Sequence, residues 1–232
     1  WNNNGTFNPG SATVTFNGSA AQTLFGAGAS GVQNFHHLVF ANSGQTVTIS
    51  SPTSTLNVSG NITFNNESRL NAGVASINLT SGNWINNGGT FSPGSIGFVR
   101  FTGTGNQEIK GSTNAAQLFN NITVNKSNGD LLLTGTGINK INIAGTLALT
   151  SGSLVPGNNS TIEYNKAGSQ VIRALTYNNL TVSSSGTKTA AGNLTVNGTL
   201  NVAAGAELNL GTYTIEGTDL ATSGTGTLRT QN

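Results

Sequence analysis

The chain repeats itself over a long distance, and this constrains its fold more than any short motif does. Trp1-Asn-Asn-Asn-Gly-Thr-Phe7-Asn-Pro9-Gly10-Ser11 recurs as Trp84-Ile-Asn-Asn-Gly-Gly-Thr-Phe91-Ser-Pro93-Gly94-Ser95. Each copy continues into an alternating segment, Val14-Thr-Phe16 or Val99-Arg-Phe101, and then into Gln22 or Gln107. A third, shortened copy opens at Pro156-Gly157 and runs through Ile162-Glu-Tyr164 to Gln170. The step from aromatic residue to glutamine is six every time. Successive Pro-Gly marks at 9, 93 and 156 give units of 84 and 63 residues. Their difference, 21, is close to one coil of a parallel β-helix, a quasi-one-dimensional stack that can lose a whole turn and keep its register.

The correspondence continues downstream. Phe35-His36-His37-Leu38 aligns with Phe119-Asn120-Asn121-Ile122 and Tyr177-Asn178-Asn179-Leu180, and Leu56 to Gly60 aligns with Ile141 to Gly145 and Leu194 to Gly198. Within these units apolar and polar residues alternate over four to six positions, as in Thr46-Val-Thr-Ile49 and Ser76-Ile-Asn-Leu79. Such alternation predicts short strands with one buried face, and the intervening Gly, Asn-Gly and Pro-Gly predict turns. No segment sustains helical spacing. The reading is a single all-β domain over 1–232, a right-handed parallel β-helix of about ten coils, with repeat units near 1–83, 84–153 and 154–232. A β-sandwich of hairpins is the alternative.

Composition narrows the function classes. The chain has 34 Asn, 33 Thr, 23 Ser and 32 Gly, more than half of its 232 residues, and these are poor helix formers. Net charge is only +2 with four prolines, which argues against disorder. Lys and Arg total nine without a basic run, so the electrostatic footprint of a nucleic-acid binder is missing. No apolar run approaches the ~18 residues of a membrane span. Zero Cys excludes disulfides and thiolate metal sites.

The runs Trp84–Ser95, Val14–Gly18, Tyr177–Val182 and Leu194–Val202 resemble the β-strand-repeat regions of large secreted bacterial surface proteins. The resemblance covers nearly the whole chain. It implies a parallel β-helix, an extracellular place at the bacterial cell surface, and work as an adhesin or stalk. It carries no catalytic residues over.

Few side chains are candidates for chemistry. His36-His37 has the residue type for metal or acid–base work, but its repeat equivalents are Asn120-Asn121 and Asn178-Asn179, so a polar ladder position is expected. Neither a metal nor another cofactor is expected. The seven carboxylates are Glu67, Glu108, Asp130, Glu163, Glu207, Glu216 and Asp219. Glycoside hydrolysis needs two of them face to face at about 5–9.5 Å, and Glu207 with Glu216 or Asp219 is the nearest set. Trp1 and Trp84 are the candidate stacking platforms for glycans; burial at a coil corner is the alternative reading. Thr-x-Thr pairs such as Thr46-x-Thr48 and Thr187-x-Thr189 raise ice binding, but they lack a constant period.

The expected function is therefore a non-catalytic, extracellular structural protein: a rigid stalk, adhesin module or self-assembling fibre subunit. Its expected partners are neighbouring copies or flanking repeats end to end, and surface glycans, without nucleic acid. A carbohydrate-binding tip is the alternative, and an ice-binding protein or a polysaccharide-active enzyme are weaker ones.

Overall fold

The structure, a computed structural model, describes residues 1–27, 31–112, 116–134, 137 and 139–231. Among these, none is α-helical and thirty strands run from β1 (Thr13–Phe16) to β30 (Thr227–Arg229). Every ladder is parallel, and wherever strands pair, the partner is the strand three places along the chain. One turn is therefore three strands, and the stack has three faces that begin with β1, β2 (Gln22–Leu24) and β3 (Val32–Phe35). Ten strand levels per face are separated by nine steps, so the chain makes about nine turns where ten were expected. At ~4.8 Å per step the stack is roughly 43 Å long.

Alternation sets which side chains turn inward. Phe16, Phe40 and Phe64 fall in one inward column, with successive ring centroids 5.6 and 5.2 Å apart, and Trp84, from the adjacent inward column of Leu38 and Ile62, sets its ring 4.9 Å from that of Phe64. Such ring contacts add ~0.5–1.5 kcal/mol each beyond the area they bury. Past Tyr177 the core is aliphatic: Leu180, Val182, Leu194, Val196, Leu200 and Leu208 are all buried.

The long repeat is not in phase with the three faces. His37 lies in β4 (His37–Phe40), Asn121 in β15 (Asn121–Lys126) and Asn179 in β23 (Asn179–Val182). The first step is eleven strands and the second eight, each one short of a whole number of turns, so each copy begins one face back from the last. The two steps differ by three strands, one whole turn, which is the deletion that the 21-residue difference implied. Equivalent residues of the long repeat consequently sit on three different faces instead of in one ladder.

Each face is interrupted once. On the second face the sheet stops at β11 (Thr90–Ser92) and restarts at β14 (Gln117–Phe119). On the third it stops at β18 (Leu147–Ser151) and restarts at β21 (Gln170–Ile172). On the first it stops at β19 (Leu154–Pro156) and restarts at β22 (Thr176–Tyr177). The last two breaks are adjacent and form one continuous seam. There the stack is held by the second face alone, where β17 (Lys140–Ile143), β20 (Thr161–Tyr164) and β23 remain paired.

Candidate functional site

The residues singled out by sequence resolve mostly into structural parts. His37 Nδ1 accepts a hydrogen bond from Asn61 N at 2.9 Å. Its repeat equivalents do the same work: Asn121 Oδ1 accepts from Thr146 N at 3.0 Å, and Asn179 Oδ1 from Thr199 N at 2.8 Å. Each of these side chains ties a corner to the turn above it. The glycine above each explains another repeated position. A Cβ on Gly60 would lie 2.6 Å from the His37 ring, and one on Gly145 or Gly198 would lie 2.4 or 2.6 Å from the Asn121 or Asn179 Oδ1. His36 Nδ1 contacts Ser59 Oγ at 2.9 Å. Among the described residues no three His, Cys, Asp or Glu side chains are grouped to hold a metal ion.

Trp84 is completely buried, in contact with the rings of Phe64, Phe91 and Phe119. A ring without an exposed face cannot stack on a sugar, so the platform reading fails for Trp84 and the buried-corner alternative describes it. Its Nε1 donates to Gln117 Oε1 at 3.0 Å, which Asn86 Nδ2 also meets at 2.9 Å. Trp1 is half-buried against Phe7 and Phe35, and its Nε1 donates to Gln33 Oε1 at 3.0 Å, the same arrangement one copy earlier.

The repeated glutamine is a plug for turn carbonyls. Gln107 Nε2 donates to the carbonyls of Ser81 and Gly82, both at 2.9 Å, and Gln170 Nε2 to those of Ile143 and Gly145 at 2.7 and 2.9 Å. Two buried lysines perform related tasks that residue type did not suggest. Lys126 Nζ donates to Gln107 Oε1 at 2.7 Å, and Lys188 Nζ donates to the carbonyls of Ser184 and Ser185 at 3.0 and 2.9 Å. Burial lowers the pKa of both. A signal for Lys188 existed: Thr187 and Thr189 flank it as outward residues, so the alternation turns it inward.

The carboxylates are dispersed. Glu108 pairs with Lys110 at 2.6 Å, Glu163 with Lys140 at 2.5 Å and Glu207 with Arg229 at 3.2 Å. Ser43 Oγ donates to Glu67, and Asp130 accepts from Ser153 N. Glu207 lies on the third face, in β27 (Ala206–Asn209), and Glu216 on the first, in β28 (Ile215–Glu216). Asp219 follows on an exposed turn. The structure does not bring this set together across a cleft.

Outward columns carry polar ladders instead. On the third face Asn57 Nδ2 donates to Asn34 Oδ1, and Asn78 Nδ2 to Asn57 Oδ1, each at 2.9 Å. Arg100 closes the column on Asn78 Oδ1 at 3.4 Å while its guanidinium lies 4.7 Å from the centre of the Phe98 ring. The Thr-x-Thr pairs do not form a common flat array: Thr46 and Thr48 lie on the second face, Thr187 and Thr189 on the third.

The seam holds two depressions, of about 560 Å³ between β18 and β21 and about 520 Å³ between β19 and β22. Behind it, Tyr164 and Tyr177 are buried with their hydroxyls 3.0 Å apart. Tyr177 Oη also donates to Arg173 O at 2.5 Å, and Arg173 N donates to Tyr164 Oη at 3.3 Å. Desolvation pushes the Tyr164 pKa up to about 12 and raises that of Tyr177 well above its ordinary value.

Compared with models of protein families, with curated proteins and with solved structures, the chain matches none.

Proposed function

We propose that the chain is a rigid, non-catalytic structural module of an extracellular protein at the bacterial cell surface, working as a stalk, an adhesin segment or a fibre subunit. The observation that supports this most is the coincidence of two ladders along one axis. Parallel backbone pairing joins every step of the stack on at least one face, and side chains such as the Asn34–Asn57–Asn78 column bond from turn to turn outside it. Both kinds of ladder resist bending and stretching, because every step must break hydrogen bonds in parallel. The likeness of the repeats to those of bacterial surface proteins supplies the location. Leu228, 45% exposed beside a depression lined by Leu200 and Val202, offers an apolar surface that stacking of copies would cover.

Negative-stain electron microscopy across a concentration series tests this reading. Rods near 43 Å, or filaments built from them, are the expected result. Compact globules at every concentration would overturn it.

A further inference from the structure

The seam is a place where the ladder could close and does not. In the second repeat copy the equivalent strands are joined: β10 (Trp84–Asn86) pairs with β13 (Gln107–Lys110) through Trp84 with Ile109 and Ile85 with Lys110. Counted from the Pro-Gly marks, the counterparts of Trp84 and Ile109 are Leu147 and Ile172. These lie in β18 and β21, which are both edge strands, with Cα atoms more than 8 Å apart over most of their length. A ladder spacing is ~4.8 Å, so one strand between them would restore two ladders.

The backbone groups offered to such a strand follow from the stack. Inward residues send their N–H toward the next turn, as Leu38 does to Asn61 O, Leu131 to Ser153 O and Leu194 to Thr214 O. Outward residues send theirs back, as Thr90 does to Ser68 O and Asn179 to Ser160 O. By that rule Leu147 and Leu149 aim N–H and C=O into the opening from below, and Val171 aims its pair from above. The ends of the opening are already plugged. Gln170 takes the carbonyls of Ile143 and Gly145, and the two tyrosines take the N–H and C=O of Arg173. Unpaired edge groups in a half-buried slot favour a partner that supplies a backbone of its own.

The lining states what the side chains of that partner should be. Leu147 and Leu149 pack on the core at the inner wall, while Lys166 and Arg173 stand on the lining of the same opening. Neither cation has a carboxylate within 4 Å among the described residues. We infer that the seam is a binding site for an extended peptide of another protein, alternating apolar and acidic residues, which inserts as a strand between β18 and β21. Its apolar side chains face Leu147 and Leu149, and its acidic ones face Lys166 and Arg173. This is recognition by strand addition: the backbone supplies affinity and the alternate side chains supply selection.

Fluorescence anisotropy with a labelled Val-Glu-Val-Glu-Val peptide tests the inference on the full chain. Three controls accompany it: the same peptide methylated on its backbone nitrogens, its Val-Lys-Val-Lys-Val counterpart, and the variants Val171→Pro and Lys166→Glu/Arg173→Glu. Val171→Pro removes an N–H aimed at the opening, and the charge reversal leaves the backbone untouched; circular dichroism melts confirm that both remain folded. Saturable binding of the acidic peptide is expected, at least tenfold weaker for the methylated peptide, the lysine peptide and both variants. Equal binding of methylated and unmethylated peptide, or no binding at millimolar concentration, would overturn the site. So would wild-type self-association that Val171→Pro abolishes, because the occupant would then be a second copy.

Discussion

The turns before the seam and those after it are built to different widths. From Thr13 to its ladder partner His37 is 24 residues, and from Trp84 to Ile109 is 25. From Ile162 to Leu180 and from Gln170 to Lys188, at the seam, it falls to 18. Beyond the seam it recovers only to 20 from Leu180 to Leu200 and 22 from Leu200 to Thr222, the lower end of the range before the seam. A longer turn encloses a larger cross-section, and interiors must be filled to near-crystalline density. The earlier turns meet that demand with rings, Phe16 through Phe119, and the later ones with Leu and Val. Two cross-sections of unequal size cannot mate all the way round. They stay paired on the second face and part on the other two, and the Tyr164–Tyr177 pair supplies the hydrogen bonds that the parted backbone lacks at Arg173.

If the difference in filling is what separates the two regions, breaking one should leave the other standing. Trp84→Ala removes the largest fully buried side chain and its bond to Gln117, at a cost of about 3–5 kcal/mol. Urea denaturation followed by hydrogen exchange should show the turns on either side of residue 84 opening early while residues 179–209 keep their protection. A uniform loss of protection along the chain would mean that the seam is no boundary at all.

The joint itself should fail in base. The Tyr164 pKa of about 12 in the folded chain lies above the ordinary 10, so the folded chain keeps a proton that the unfolded chain has released. That contribution is present in full below pH 10 and is lost as pH climbs toward 12. It is on the order of 2 kcal/mol from Tyr164, and Tyr177 shifts in the same direction. Thermal melts between pH 9 and 12 should fall accordingly, and the decline should shrink in Tyr164→Phe. A smaller effect is expected one turn further on, from Lys188→Met. It leaves turn carbonyls at Ser184 and Ser185 without their donor, worth about 1–2 kcal/mol in urea unfolding.

Much of the narrow-versus-wide contrast was present in the sequence, but not as such. Alternation located the strands, and the 84- and 63-residue units carried the missing turn. The constant aromatic-to-glutamine step marked Gln107 and Gln170 without revealing what they bond, because their partners are carbonyls 25 to 27 residues earlier. The rotation of each copy to a new face was hidden. It depends on counting strands against turns, and single turns differ by several residues. Trp84 offered two readings because an indole serves equally well as a platform or as a filler. Only the rings packed around it decide. The seam was the least legible feature. It arises from a mismatch between neighbouring turns, and no residue type marks where a hydrogen bond is absent.

The smallest effect tests whether equivalent slots on different faces are interchangeable. His37 and Asn179 occupy the same place in a wide and a narrow turn, and each accepts one backbone N–H from the turn above. The role needs a single acceptor at the end of a short planar side chain, and asparagine offers one at similar reach. His37→Asn should therefore change the urea midpoint by less than about 0.5 kcal/mol equivalent. His37→Ala should cost about 1 kcal/mol or more, because Asn61 N loses its partner in a half-buried corner. The glycine above is the stricter requirement, since Gly60 leaves no room for a Cβ against the imidazole. If His37→Asn proved as costly as His37→Ala, the His36–His37 ring contact at 4.3 Å would have to be what holds that corner. The repeat equivalence between the two regions would then be one of sequence without shared function.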